Sequence, residues 1–125
     1  DSILMKWTIP VNPVPASRPR VGRWGSYYTG PYVVFRDSVQ PVLREMFKGW
    51  VPLDYCMSVT VGIHPKKPKT SKLKYPKPDV DNYAKAVLDS CNELVWVDDS
   101  LIVELEVNKS WSKSDGYFTL TIKEY

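Results

Sequence analysis

The segment from Tyr55 to His64 constrains the fold most. Tyr55, Met57, Val59, Val61 and Ile63 fall at every second position, with Cys56, Ser58, Thr60 and Gly62 between them. Alternation of that kind gives a strand with one apolar face, and such a face has to be covered by another layer. Candidate covers lie on either side. From Tyr32 to Trp50 the apolar residues Val34, Phe35, Val39, Val42, Leu43, Met46 and Phe47 recur at helical spacing, with Pro41 expected to kink or delay the helix because its ring removes a backbone donor. A second helix is expected from about Asp81 to Leu94, burying Ala84, Val87, Leu88, Cys91 and Leu94.

Further strands complete the pattern. Ile3 to Pro10 reads as a strand, and residues 11–30, with three prolines, three glycines and three arginines, as a long loop. Val95-Trp96-Val97 is short and extended, and Asp98-Asp99-Ser100 turns. Leu101 to Val107 places Leu101, Val103, Leu105 and Val107 opposite Glu104 and Glu106. Asp115-Gly116 is a turn signal, so Tyr117 to Ile122 is expected to return as the antiparallel partner, with Phe118, Leu120 and Ile122 inward. The fold class expected is α+β, a mixed β-sheet packed against helices in the order β-α-β-α-β-β. At 125 residues the chain has room for a single domain, residues 1–125.

Composition excludes several chemistries. Cys56, Cys91 and His64 are the whole stock of soft ligands, one short of the four a structural zinc takes. A single histidine rules out a two-histidine metallopeptidase, and no Gly-x-Ser-x-Gly elbow is present for a serine hydrolase. No apolar run approaches the roughly 20 residues of a membrane crossing. Cys56 and Cys91 read as core residues of a chain in a reducing cytoplasm, and His64 as a strand end. No charged and apolar leader is visible; Met5-Lys6-Trp7 is one candidate start, with Asp1 to Leu4 native as the alternative.

The net charge of +3 conceals two fields. Residues 1–78 carry thirteen Lys/Arg against four Asp/Glu, a balance of +9, and residues 79–125 carry four against ten, a balance of −6. The positive charge gathers in two irregular stretches, one with Arg18, Arg20 and Arg23, the other with Lys66, Lys67, Lys69, Lys72, Lys74 and Lys77. Trp24, Tyr27, Tyr28 and Tyr75 are interleaved with them. Cations neutralise phosphates and rings stack on exposed bases, so these stretches are candidate nucleic-acid contacts; lysine-rich loops are also found simply solvated.

The acidic half opens with Pro78-Asp79-Val80-Asp81-Asn82-Tyr83-Ala84-Lys85. If Asp79 and Asp81 lie on an extended lead into the helix, residues two apart point to one side and their carboxylates converge, with Lys85 one turn beyond Asp81. Converging carboxylates repel unless a cation intervenes, and magnesium suits oxygen donors. Aspartates at a helix start serve equally as caps. An EF-hand loop is excluded, because Ala84 stands at its glycine position and Ser90 at its glutamate position.

Asp79-Val80-Asp81-Asn82-Tyr83-x-Lys85-Ala86-x-Leu88-Asp89, followed by Trp96-Val97-Asp98-Asp99-Ser100, resembles the RusA family of Holliday junction resolvases. The early segment Ile9 to Arg20, then Tyr28-Thr29, is similar to the family's proline-and-arginine lead. The resemblance implies a homodimeric, magnesium-dependent endonuclease, with manganese as a substitute, that cuts branched DNA at four-way junctions by paired symmetric nicks in a bacterial or phage setting. It implies metal ligands at Asp79, Asp81 and Asp99, with Asp98 as the alternative third, and a catalytic lysine at Lys85. Pro78 departs from members with a basic residue there, leaving Lys77 or Lys74 for that contact. Asp89 is expected to pair with Lys85. The rivals are a non-catalytic branched-nucleic-acid-binding module, a nuclease for flaps and forks, and a phosphomonoester hydrolase.

Overall fold

A computed structural model describes residues 4–17, 20–27 and 30–125. The chain order is β1 (Leu4–Ile9), β2 (Arg20–Gly22), β3 (Gly25–Tyr27), α1 (Pro31–Met46), β4 (Met57–His64), α2 (Val80–Cys91), a 3-10 turn (Asp99–Leu101), β5 (Ile102–Lys109) and β6 (Tyr117–Glu124). The α+β class holds. One mixed sheet runs β1-β6-β4-β5, and β2 and β3 form a separate hairpin.

The alternation in β4 translates directly into packing: Met57, Val59, Val61 and Ile63 are buried, as are Phe118, Leu120 and Ile122 of β6. They form the floor of one core. Helix α1 presents Tyr32, Phe35, Val39 and Leu43 to it, with Phe35 against Phe118 at 6.2 Å between ring centroids. Phe47, just past the helix, packs on Trp7 of β1 at 5.1 Å. Helix α2 lies over β4 and β5 and buries Tyr83, Ala84, Ala86, Val87, Ser90 and Cys91. Leu88 and Leu94, expected in the core, are only half buried.

Five expectations are corrected. Tyr117–Glu124 does not pair with the strand before it. It inserts between β1 and β4, antiparallel to both, while β5 pairs parallel with β4. The wholly apolar inner face of β6 belongs at the sheet's centre, and residues 110–116 supply enough chain to step across the end of β4, guided by Ser110 and Ser112 N–H bonds to the Ile63 and Pro65 carbonyls. Residues 20–27 of the supposed loop form the hairpin, whose three-residue strands are too short to show a period. Pro41 sits inside an uninterrupted α1: it is on the exposed side, so the carbonyl of Asp37, deprived of its donor, faces water. Cys56 is exposed rather than in the core, since it precedes β4 on the side away from Met57. Val95, expected in an extended segment, lies instead in the turn after α2, and only Trp96 makes bridge pairings, to Leu53 and Asn92.

Candidate active site

Helix α2, which crosses from β4 to its parallel neighbour β5, makes an open-sided cleft of about 530 Å³ with β5 and the 3-10 turn before it. Val80, Asp81, Ala84, Lys85, Leu88 and Asp89 line it from the helix, Leu105 and Val107 from β5, and Asp99 from the 3-10 turn. On α2 the residues Asp81, Lys85 and Asp89 are spaced four apart and share one face, each pair one turn or about 6 Å along the axis. The stripe is acid, base, acid. Lys85 Nζ lies 3.0 Å from Asp89 Oδ2, the pairing expected from the sequence, and the Tyr32 hydroxyl donates to the same oxygen at 3.4 Å.

Asp99 reaches the cleft through a local device. After α2 the chain turns through Glu93, at φ 69°, and drives Trp96 fully into the core, where Leu53 clamps Val95 and Val97 by backbone bonds. The Trp96 indole N–H then donates to Asp99 Oδ1 at 2.6 Å, and the Asp99 N–H donates to Asn92 Oδ1 at 3.1 Å. Burial pushes the Asp99 carboxyl above its usual range; the Trp96 bond opposes this, the charges of Asp89 and Asp98 add to it, and the Lys85 ammonium opposes it. Asp98 is exposed, takes a hydrogen bond from Ser100 Oγ at 2.7 Å, and does not line the cleft.

Asp79 stands at the N-cap of α2 in extended conformation, but its carboxylate makes no capping bond. The helix starts at Val80, so Asp81 is already helical and the side-by-side arrangement expected of an extended Asp79 and Asp81 does not arise. Asp81 and Asp99 face the same cleft from opposite ends of the stripe. Among the described residues, no three His, Cys, Asp or Glu side chains come close enough to share one ion.

The donor set nonetheless suits a hard divalent cation. Magnesium commonly takes one or two carboxylates and completes its octahedron with water and substrate phosphate, so a ring of three acids is not required before substrate arrives. A carboxyl held high by burial and by neighbouring negative charge is also one whose ionised form a cation would favour.

The lysine stretch runs from the end of β4 to the start of α2, and Lys66, Lys67, Lys69, Lys72, Lys74 and Lys77 are all exposed along it. It is fastened to the end of β5: Trp111 Nε1 donates to Leu73 O at 2.9 Å, and Lys109 Nζ donates to Pro78 O at 2.7 Å while lying over the Tyr75 ring. Arg23 is exposed in the β2–β3 turn. Arg18 and the side chain of Arg20 lie outside the described residues, as do Tyr28 and Thr29. His64 stacks on Tyr117 and shares a 2.9 Å hydrogen bond with Ser110 Oγ through Nδ1. Sequence reasoning missed the part played by Trp96 and Asn92 in holding Asp99, although Trp96 stands only three residues away, at side-chain reach.

The family described as endodeoxyribonuclease RusA matches residues 10–123 of the chain. The uncharacterized protein YqaN of Bacillus subtilis (strain 168) is 34% identical over 134 aligned positions, which cover 87% of this chain and 89% of that one. The chain belongs to the RusA endodeoxyribonuclease family.

Proposed function

We propose that this RusA-family endodeoxyribonuclease is a homodimeric, magnesium-dependent nuclease that resolves four-way DNA junctions by paired symmetric nicks. The observation that carries the reading is the cleft itself: Asp81, Lys85, Asp89 and Asp99 converge on one groove at the foot of the exposed lysine segment.

Of the three acids expected as ligands, Asp81 and Asp99 face the cleft and would hold the cation together with water and substrate phosphate, while Asp79, at the N-cap of α2, is outside the cleft lining and would join them only by turning in. When bound, magnesium, or manganese in its place, supplies Lewis acidity, polarising the scissile phosphate and making water a usable nucleophile near neutral pH. The chain's own groups do the rest. Lys85 places an ammonium where negative charge grows on the phosphate, and Asp89 holds that ammonium in position. Leu88, Leu105 and Val107 wall the cleft with apolar surface, which lowers the local dielectric and strengthens each of these interactions. Trp96 and Asn92 orient Asp99. The lysine segment neutralises phosphates of the arms, and a four-way junction with equivalent strands calls for two such clefts about a two-fold axis.

The test is cleavage of a synthetic four-way junction beside linear duplex, flap and fork DNA, with and without magnesium. The reading expects paired nicks in the junction only with the metal. Binding without cleavage at any metal concentration would leave a non-catalytic module, and preferential cutting of flaps or forks would reassign the substrate.

A further inference from the structure

The hairpin β2–β3 is a surface feature with an unusual tip. Its register, Arg20 with Tyr27, Val21 with Ser26 and Gly22 with Gly25, leaves Arg23 and Trp24 as a two-residue turn, which Gly25 closes at φ 116°. Trp24 is 92% exposed, and the Arg23 guanidinium lies 5.4 Å from its ring centroid. Val21, 85% exposed, packs against none of the described residues on that side. Among the described residues Arg23 makes no salt bridge. A tryptophan held fully in water beside a free cation contributes nothing to the core.

Where the hairpin is rooted gives the tip a use. On its N-terminal side the Ala16 N–H donates to the carbonyl of Asn82 at 2.9 Å, the residue next to Asp81. On its C-terminal side α1 begins at Pro31, and Tyr32 donates to Asp89. Both flanks of the hairpin are thus tied to α2, one at the Asn82 carbonyl, next in sequence to Asp81, and the other through the Tyr32 hydroxyl on Asp89. Four residue steps, at most about 14 Å, separate Ala16 from the first residue of β2. The hairpin therefore begins within about 14 Å of an anchor on the first turn of α2, the turn that carries Asp81.

We propose that this hairpin is a base-stacking wedge: Trp24, with Arg23 on the adjoining phosphate, takes an unpaired or unstacked DNA base at the branch point next to the strand held in the cleft. The inference rests on the nuclease reading and deepens it, because it says what distinguishes branched DNA from duplex. Aromatic faces stack on any base, so selection comes from the availability of an unpaired base and not from its identity. In a continuous duplex every base is already stacked, and Trp24 finds no partner.

The experiment uses the full chain carrying Asp81→Asn, so that DNA stays intact, and four-way junctions with 2-aminopurine placed in turn at positions flanking the crossover. The expected result is a change in 2-aminopurine fluorescence at one or two of those positions. Adding Trp24→Ala should abolish that change and weaken junction binding about 5- to 100-fold, leaving linear-duplex binding within about twofold, while Trp24→Phe keeps most of both. Unchanged fluorescence and affinity in Trp24→Ala overturns the wedge, as does an equal loss on junction and duplex. Junction binding with no fluorescence change at any position also overturns it while leaving the nuclease reading intact. Failure of Asp81→Asn to bind any DNA removes that reading and the wedge together.

Discussion

The indole N–H of Trp96 meets Asp99 Oδ1 at 2.6 Å, which ties a fully buried core side chain to a carboxylate of the cleft. Folding of the core thus fixes the orientation of a candidate metal ligand before any ligand arrives. Asp99 is held charged at a cost: burial raises its carboxyl, as do Asp89 and Asp98. A carboxyl raised in the folded state has its favourable contribution below its unfolded value and loses it as pH rises through the folded value.

Asp99→Asn removes that charge and leaves an oxygen for the Trp96 bond. Its melting temperature in metal-free buffer at pH 7 should equal or exceed that of the parent, and its advantage should shrink as pH falls into the carboxylate range. Cleavage should drop by more than about 100-fold, since changes behind a metal ligand already cost 10- to 100-fold. Melting curves with and without magnesium check both parts, with the metal-induced rise expected only in the parent.

Lys85→Ala separates catalysis from grip. On the proposed role its ammonium meets the charge growing on the phosphate, so kcat for junction cleavage should fall about 100-fold or more while the junction Kd changes less than about fivefold. Equal losses in the two would make it an ordinary phosphate contact.

Neutralising Lys66, Lys67 and Lys69 together should flatten the dependence of log K on log salt by up to about 2 to 3 units. Lys66 also stands 3.9 Å from Asp115, an exposed pair worth little, so its loss should not alter the melting temperature by more than a degree or two. Binding titrations from low to moderate salt give the slope.

The thiols should differ sharply. Burial, with a further push from Asp99, raises Cys91 to about 12, so at pH 8 it is almost wholly protonated and sequestered, whereas Cys56 is exposed. A disulfide reagent should titrate one thiol in the native protein and two in denaturant.

Gly62 lies against β6 with no room for a side chain. A Cβ there would overlap the Thr119 hydroxyl and stand 3.1 Å from His64 Nε2. Gly62→Ala should cost about 1 to 3 kcal/mol by denaturant titration, and Thr119→Ala in the same chain should restore much of it.

The elements legible in the sequence were those with a period long enough to declare a face. Met57 to Ile63 and the α2 positions Ala84, Val87 and Cys91 did so, and the Asp81-Lys85-Asp89 spacing put three charged groups on one helical face before any coordinates. Strand partnership was not legible. Asp115-Gly116 is a local turn signal, whereas the place of β6 is decided by what Phe118, Leu120 and Ile122 must bury, which is a property of the whole sheet. Cys56 was misplaced because a cysteine is apolar by type, and only the pleat says which way it points. The lead into α2 was read as extended past Val80 because Pro78 favours that conformation locally, while the helix begins immediately after Asp79.

The central claim is that the cleft bounded by Asp81 and Asp99 performs metal-dependent cutting at a DNA branch. It is tested most directly by giving the parent and Asp81→Asn the same four-way junction over a magnesium titration, reading cleavage and binding in parallel. The account predicts paired nicks in the parent that rise with magnesium, and junction binding equal or tighter in Asp81→Asn with cleavage abolished. Full cleavage by Asp81→Asn, or cleavage by the parent that ignores magnesium, would contradict it.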